Sequence, residues 1–571
     1  MSTNPPFSGA NAIDGLHRLA AALTDLRLAL DLERSIKARG VRDELADQIS
    51  DYLIPRLARL DGPLLAVFGG STGSGKSTIT NSLVGREVTP AGVLRPTTRA
   101  PVLITHPADA GFFDGNSVLP DLPRSTGDIS SGPMPTGAVL RISETDAIGP
   151  GLAIIDAPDI DSVEEANRLL ATQLLAAADL WLFTTTAVRY ADAVPWEFLT
   201  RARERGTALA IVINRIPQGA SKEIKGHLQQ MLVDAGFADI PIYTVNQGKL
   251  IDERLPETAV AEIRAALASL ANNADMRNKV IAKTLHGALD SVSDRAAIVS
   301  EAGTEEQATA TGLLGALDSV YVAARKGVAS DLSNGSLLRN EVLDRWQELI
   351  GSAELMRAIQ SRVSIIRDKI TGFIRGRTGS TVEVQGEITS TLERLLVDHA
   401  DQAALNAWNS WRALPGGPQV LGDDRHLERT DPGIRDSVGQ EVRGWQDDIL
   451  ELVRQRGEGK RTTARALALG VNSIGVALMI VVLASTGGLT GAEIGISAGT
   501  AGLSQALLAA VFGEQAVRDL AVEARQLLLN RIDRLLDSDA DRYRTKLASI
   551  VDPPEAITAL QSALAEFEKS R

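Results

Sequence analysis

Gly70-Ser71-Thr72-Gly73-Ser74-Gly75-Lys76-Ser77-Thr78 follows the apolar run Leu64-Leu65-Ala66-Val67-Phe68, and its reading decides the fold of the first half of the chain. The stretch satisfies G-x-x-x-x-G-K-[ST] in the context that gives the pattern meaning. A buried strand is predicted before it, and a helix over 77–83 begins at the lysine. Backbone N–H groups of such a turn converge on phosphate oxygens, the helix N-terminus adds positive partial charge, and the glycines permit close approach. Gly70, Ser71, Gly73, Ser74, Gly75 and Thr78 are the expected cradle. Lys76 would reach the β- and γ-phosphates and Ser77 would ligate Mg²⁺. The stretch implies a bound nucleoside triphosphate.

Outward from this loop, apolar runs bounded by turns predict buried strands over 102–105, 139–142, 152–155, 180–183, 209–213 and 242–245. Helical patterns intervene over 163–178, 193–204 and 222–235. This alternation argues for a mostly parallel sheet with helices on both faces. The stretch 106–137, rich in Pro, Gly, Asp and Ser, reads as a surface loop. Asp156 ends a buried strand, where an unpartnered carboxylate is costly, so a water-bridged Mg²⁺ role is expected of it.

With 571 residues the chain is long enough for roughly three or four domains. Its net charge of −13 provides no global basic field, so nucleic acid is not an expected partner. Absence of cysteine excludes disulfides and thiolate metal sites. The six histidines show no ligand spacing. The first fifteen residues lack a basic start and an apolar core, so no secretory signal is expected.

Leu16, Leu19, Leu23, Leu26 and Leu30 recur at steps of three and four, one stripe of an amphipathic helix that needs a partner. Beyond about residue 256 the strand signal fades. Helical patterns take over, as in Val342, Leu343, Trp346, Leu349 and Ile350, in Ile388, Leu392, Leu395 and Leu396, and in Val517, Leu520, Ala524, Leu528, Ile532 and Leu535. Amphipathic helices at both ends of a nucleotide-binding core suggest a bundle or stalk built from distant parts of the chain. The expected domains are an N-terminal helical segment 1–60, a nucleotide-binding domain 61–256, a stalk 257–462, an apolar hairpin 463–513, and C-terminal helices 514–571 that return to the bundle.

The hairpin is the departure from this pattern. Residues 466–492 and 494–513 carry no charge, and 466–484 is about long enough to cross a bilayer core. Gly491, Gly495 and Gly499 fall four apart, a spacing that lets helices approach in lipid. Arg454, Arg456, Lys460, Arg461 and Arg465 precede it, a cluster suited to an anionic cytoplasmic leaflet. The expectation is a hairpin that spans or dips into the membrane with both ends cytoplasmic. A buried hairpin within a helical domain is the alternative.

Leu94-Arg95-Pro96-Thr97-Thr98-Arg99-Ala100-Pro101 and Asp156-Ala157-Pro158-Asp159 supply a loop threonine and an Asp-x-Pro turn, the parts that sense γ-phosphate and Mg²⁺ in switch GTPases. The run from Thr98 to Leu103 resembles the switch I segment of dynamin-like GTPases. Flanking helices and apolar hairpin resemble the neck, stalk and membrane paddle of the bacterial, actinobacterial-type members. That resemblance implies an α/β P-loop GTPase domain with an extended helical stalk, GTP and Mg²⁺ as ligands, and Thr98 as switch residue and metal-facing group. It also implies self-association or pairing with a related dynamin-like protein, at the cytoplasmic side of the cell membrane, to remodel or stabilise it.

Three positions depart from the family. Thr72 stands where dynamins carry a Gln that orients water, so Thr72 is the candidate for that task. Asp159 replaces the glycine of the Asp-x-Pro-Gly turn. Asn214-Arg215-Ile216-Pro217 replaces Asn/Thr-Lys-x-Asp, removing the carboxylate that accepts two hydrogen bonds from guanine. Asn214 can hold the loop or touch the base, the Arg215 stem can stack on it, and Asn246 resembles the dynamin base-contacting residue. A nucleotide-binding scaffold without hydrolysis, and an ATP-using transport-type ATPase, are the competing readings. The transport type would also need its Leu-Ser-Gly-Gly-Gln signature, which is absent.

Overall fold

The computed structural model describes residues 10–90, 100–115, 118–119, 122–126, 139–162, 164–237, 240–333, 378–423, 425–456, 471–484, 504–505, 508–509 and 511–570. Thr98 and the helical pattern at 342–350 lie outside them. So do the second half of the expected hairpin, apart from a few residues, and Lys460, Arg461 and Arg465. The chain forms two compact units: Met1–Leu28, Glu33–Glu305 and Asp552–Arg571 make one, Ala29–Leu32 and Glu306–Val551 the other.

The first unit is built on eight strands, β1 Leu64–Gly70, β2 Val102–Thr105, β3 Arg124–Thr126, β4 Leu140–Glu144, β5 Leu152–Asp156, β6 Leu180–Thr186, β7 Ala208–Ile216 and β8 Ile242–Asn246. Their order is β3-β4-β2-β5-β1-β6-β7-β8. All neighbours run parallel except β2 and β5. The expected strands are present, and the sheet is mostly parallel as its unbroken apolar runs required. β1 is buried along its whole length, as a central strand covered on both faces must be. The extra strand is β3, inside the stretch expected to be a loop. Three polar residues at a sheet edge carry too little apolar pattern to be read as a strand.

Helices Ala10–Asp25, Glu33–Gln48 and Pro554–Ser570 pack with the early part of the helix Ala274–Ser333 around Leu16, Leu19, Leu23, Leu289, Val292 and Leu560. The leucine stripe is therefore a real core face, but the first helix stops at Asp25 and Leu30 belongs to the core of the second unit. This bundle grips the sheet at the end opposite the phosphate loop. Asp179, just before β6, accepts from Tyr52 Oη at 3.1 Å and Arg56 Nε at 3.0 Å, and its second oxygen takes the Leu65 N–H at 2.8 Å. Arg56 also reaches the Gly62 and Pro63 carbonyls, so this buried ion pair has the extra hydrogen bonds it needs to persist away from water. Gly206 and Gly287 touch backbone to backbone. A Cβ at Gly206 would lie 2.2 Å from the Gly287 carbonyl carbon, so a side chain at that point would force the bundle helix off the sheet.

The second unit is helical. Thr378–Ala413, Pro432–Arg456, Val471–Ala484 and Glu514–Ile550 surround a core in which Ile388, Leu392, Leu396, Val517, Leu520, Leu528 and Ile532 are buried, the faces that periodicity marked. Val471–Ala484 corrects the membrane reading. The described part of this segment is 14 residues long and rises about 21 Å. Residues 474–483 are buried on every side. A Cβ added to Gly475 would come within 2.9 Å of Leu450 Cδ2. A helix apolar all round is explained as well by a protein core as by lipid. Among the described residues no helix is long and apolar enough to cross a membrane, and the expected transmembrane helix is not found there.

Candidate nucleotide-binding site

β1 runs between β5 and β6, and the three strands deliver their ends to one place. Gly70 pairs with Thr184 of β6, and Phe68 with Asp156 of β5. The turn 70–75 then feeds the helix Lys76–Val84. Gly70, with φ 154°, allows the turn to press on β6, because a Cβ there would lie 2.1 Å from the Thr184 carbonyl oxygen. Gly75, with φ 94°, caps the helix in the left-handed region that side chains avoid. A Cβ at Gly75 would strike Asn214 Nδ2 at 2.3 Å.

Within this turn the polar groups are buried but not all are satisfied. The hydroxyls of Ser71 and Ser74 are enclosed without a hydrogen-bond partner, an arrangement that usually signals an absent ligand or water. Asp156 is fully buried. Its Oδ2 accepts from the Ser77 hydroxyl and from the Thr89 hydroxyl, both at 2.7 Å, while its Oδ1 has no partner. Burial pushes the Asp156 carboxyl above the usual carboxylate range. Hydrogen bonds from Ser77 and Thr89 and the charge of Lys76 oppose this without cancelling it. A hydroxyl and an under-satisfied carboxylate at the foot of a phosphate cradle fit a Mg²⁺ that takes its remaining ligands from phosphates and water. Among the described residues no cluster of three or more His, Cys, Asp or Glu forms a separate metal site.

Lys76 Nζ sits at 2.9 Å from the Gly70 carbonyl and 2.6 Å from Asp159 Oδ1. The carboxylate that replaces the family's glycine thus turns toward the lysine and occupies its charge. A second carboxylate lies beside it. Asp161 Oδ1 accepts from the Thr72 N–H at 2.5 Å and the Thr72 hydroxyl at 2.8 Å. Its Oδ2 takes Arg189 Nη2 at 3.1 Å, and Arg189 Nη1 reaches the Thr72 carbonyl at 3.2 Å. Burial pushes the Asp161 carboxyl up, but the donors from Thr72 and Arg189 outweigh it and hold the group below the usual range.

Of the base-side candidates, Asn214 donates from Nδ2 to the Ser74 carbonyl at 2.8 Å, bracing the phosphate loop from β7. Arg215 is exposed at φ 57°, and Asn246 ends β8 with its Oδ1 held by the Ser221 hydroxyl at 2.7 Å. The structure brings Gly70 through Thr78, Asp156 and Asn214 into one cluster. Thr98 lies outside the described residues. Sequence reasoning missed Thr89, Asp161 and Arg189. Asp161 stands two residues past Asp159, and the only sequence signal for Arg189 is its place just after a strand that neighbours β1.

Residues 65–216 match the Dynamin family. That segment runs from β1 to β7, so the likeness to this family lies in the sheet and phosphate loop of the first unit. No curated protein matches the chain in sequence. Among solved structures, an oligomerised bacterial dynamin pair, described as a mechanism for long-range sensing and tethering of membranes, is similar at 10% identity and TM-score 0.43, covering 100% of this chain and 96% of that one. LeoA, a bacterial dynamin GTPase from ETEC, is similar at 13% identity and TM-score 0.24 over 100% of both chains. Era, crystallised with MgGDPNP and a segment of 16S ribosomal RNA, is similar at 18% identity and TM-score 0.22, covering 32% of this chain and 50% of that one.

Proposed function

We propose that this protein binds GTP with Mg²⁺ and hydrolyses it, and that the nucleotide state governs self-association on a membrane, as the dynamin-type domain suggests. The observation that carries the reading is the phosphate turn itself: enclosed orphan hydroxyls of Ser71 and Ser74, Lys76 at its floor, and an under-satisfied Asp156 behind Ser77. In this reading Ser71, Gly73, Ser74, Gly75 and Thr78 hold phosphate oxygens and Gly70 admits them. Ser77 and Asp156 would hold Mg²⁺, which would supply positive charge to offset that of the phosphate oxygens. Lys76 leaves Asp159 to meet the incoming phosphate. Thr72, freed from Asp161, is the candidate to orient the attacking water, and Thr98 the candidate to close over the γ-phosphate. Asn214 positions the loop, while Arg215 and Asn246 flank the base. The likeness of residues 65–216 to the Dynamin family favours guanine over adenine, although Pro217 stands where the guanine-reading carboxylate would be.

A non-hydrolysing scaffold is the second reading, and the Lys76–Asp159 and Thr72–Asp161 pairs favour it, since both must break before a triphosphate can seat. Phosphate release by the purified full chain decides between them, with GTP and ATP compared and vesicles of anionic lipid present or absent. The expected result is GTP turnover that Lys76→Ala lowers by about 10³-fold, the scale of removing one major charge-stabilising group. Turnover equal in wild type and Lys76→Ala would end the enzymatic reading, and faster turnover of ATP would end the choice of base.

A further inference from the structure

We propose that Arg189 is a catalytic residue of this site, an arginine supplied by the same chain that moves from Asp161 to the γ-phosphoryl oxygens when GTP binds. The proposal rests on the hydrolytic reading above and goes beyond it.

Topology brings Arg189 to the site. β6 pairs with β1, so the turn that follows β6 passes over the phosphate loop, and the Arg189 N–H closes that turn on the Thr186 carbonyl at 3.0 Å. From there the guanidinium spreads its donors: Nη1 to the Thr72 carbonyl at 3.2 Å, Nη2 to Asp161 Oδ2 at 3.1 Å, and Nε to Asp192 Oδ2 at 3.1 Å. It is 39% exposed, neither locked in a core nor free in solvent.

What it touches is informative. Thr72 is the loop residue expected beside the terminal phosphate, and its N–H is donated to Asp161 Oδ1. Two cations, Lys76 and Arg189, are thus each held by a carboxylate, Asp159 and Asp161. An arriving triphosphate competes with both carboxylates for the same donors. Once its oxygens take the Thr72 N–H, like-charge repulsion drives Asp161 away, and Arg189 loses one partner while already within reach of the phosphate. A planar guanidinium with paired donors matches a phosphoryl group better than it matches one carboxylate oxygen.

Chemically the residue is asked only for charge. Water oxygen bonds to the γ-phosphorus, the bond from that phosphorus to the β–γ bridging oxygen breaks, and its electron pair leaves on GDP. The water protons end on inorganic phosphate and in solvent, and Arg189 exchanges none. Charge spread over the equatorial and bridging oxygens in the loose transition state is what a nearby guanidinium stabilises.

The full chain is tested as wild type, Arg189→Ala, Arg189→Lys and Asp161→Asn. Single-turnover GTP hydrolysis is measured beside GDP affinity and the trapping of GDP by aluminium fluoride, which reads transition-state geometry without turnover. Arg189→Ala is expected to slow hydrolysis about 10²- to 10³-fold, keep GDP affinity within about threefold, and abolish fluoride trapping. Arg189→Lys should recover part of the rate. Asp161→Asn, with a weaker competitor on Thr72, should tighten binding of a non-hydrolysable triphosphate and retain trapping. Hydrolysis by Arg189→Ala within about threefold of wild type would overturn the proposal. So would a loss of GDP affinity equal to the loss of rate, or a weakened triphosphate affinity in Asp161→Asn, both marks of a loop brace. A wild type that binds GDP but neither hydrolyses GTP nor traps fluoride would instead remove the hydrolytic reading beneath it.

Discussion

The phosphate turn at 70–78 and the apolar helix Val471–Ala484 were equally conspicuous in the sequence, yet only one could be read without the fold. The turn is polar, and each of its residue types has a chemical reason to stand at its position. A lysine after Gly-x-Gly at a helix start, with a serine behind it, has few other uses. The helix is defined by the absence of charge, and hydrocarbon and protein interior ask for the same absence. Its environment was therefore open until its neighbours were known. Those neighbours are the helices Thr378–Ala413, Pro432–Arg456 and Glu514–Ile550, which enclose Ile474 through Leu483.

The sharpest way to break this contrast is Leu478→Ala. Leu478 has no exposed surface, so the truncation should cost about 3–5 kcal/mol as lost burial plus a cavity, seen as a lower denaturant midpoint for the helical unit in aqueous buffer. An unchanged midpoint would return the segment to a lipid setting. A smaller effect is expected at the phosphate turn from Asp159→Asn, which removes the charge that holds Lys76. Affinity for a non-hydrolysable triphosphate should rise about tenfold, or 1.4 kcal/mol. No rise would show that Asp159 does not compete with the nucleotide.

Smallest is a pH effect. The folded Asp161 carboxyl lies below its ordinary value, so the folded state binds its proton less well than the unfolded chain does. Its pairing with Thr72 and Arg189 then stabilises the fold above the ordinary carboxylate range and fades as pH falls below about 4. Acid titration of stability should be shallower in Asp161→Asn than in wild type over that window. Identical profiles would place the acid sensitivity elsewhere.

These two regions also show where legibility ends. Strand positions were readable because apolar runs ended by turns have one common cause, burial in a parallel sheet. β3 escaped because three polar edge residues, Arg124, Ser125 and Thr126, carry no such pattern. Asn214 was open between loop and base until its amide was found on the Ser74 carbonyl. Asp159 was visible as a departure, but not that it would turn onto Lys76. Arg189 had no mark beyond its place just after a strand, because its relation to Thr72 exists only through the pairing of β6 with β1.

The sequence was enough to show that a turn with the phosphate-loop pattern follows a buried strand in a mostly parallel sheet, and that long amphipathic helices flank it. Those features depend on residues close along the chain, where backbone geometry makes spacing equivalent to position. Tertiary structure alone decided that the 14-residue apolar helix lies in a protein core, and that Asp159 and Asp161 sit on the very donors a phosphate would need. Both outcomes depend on which distant segments meet, and a carboxylate or an apolar face does not name its partner until the chain has closed around it.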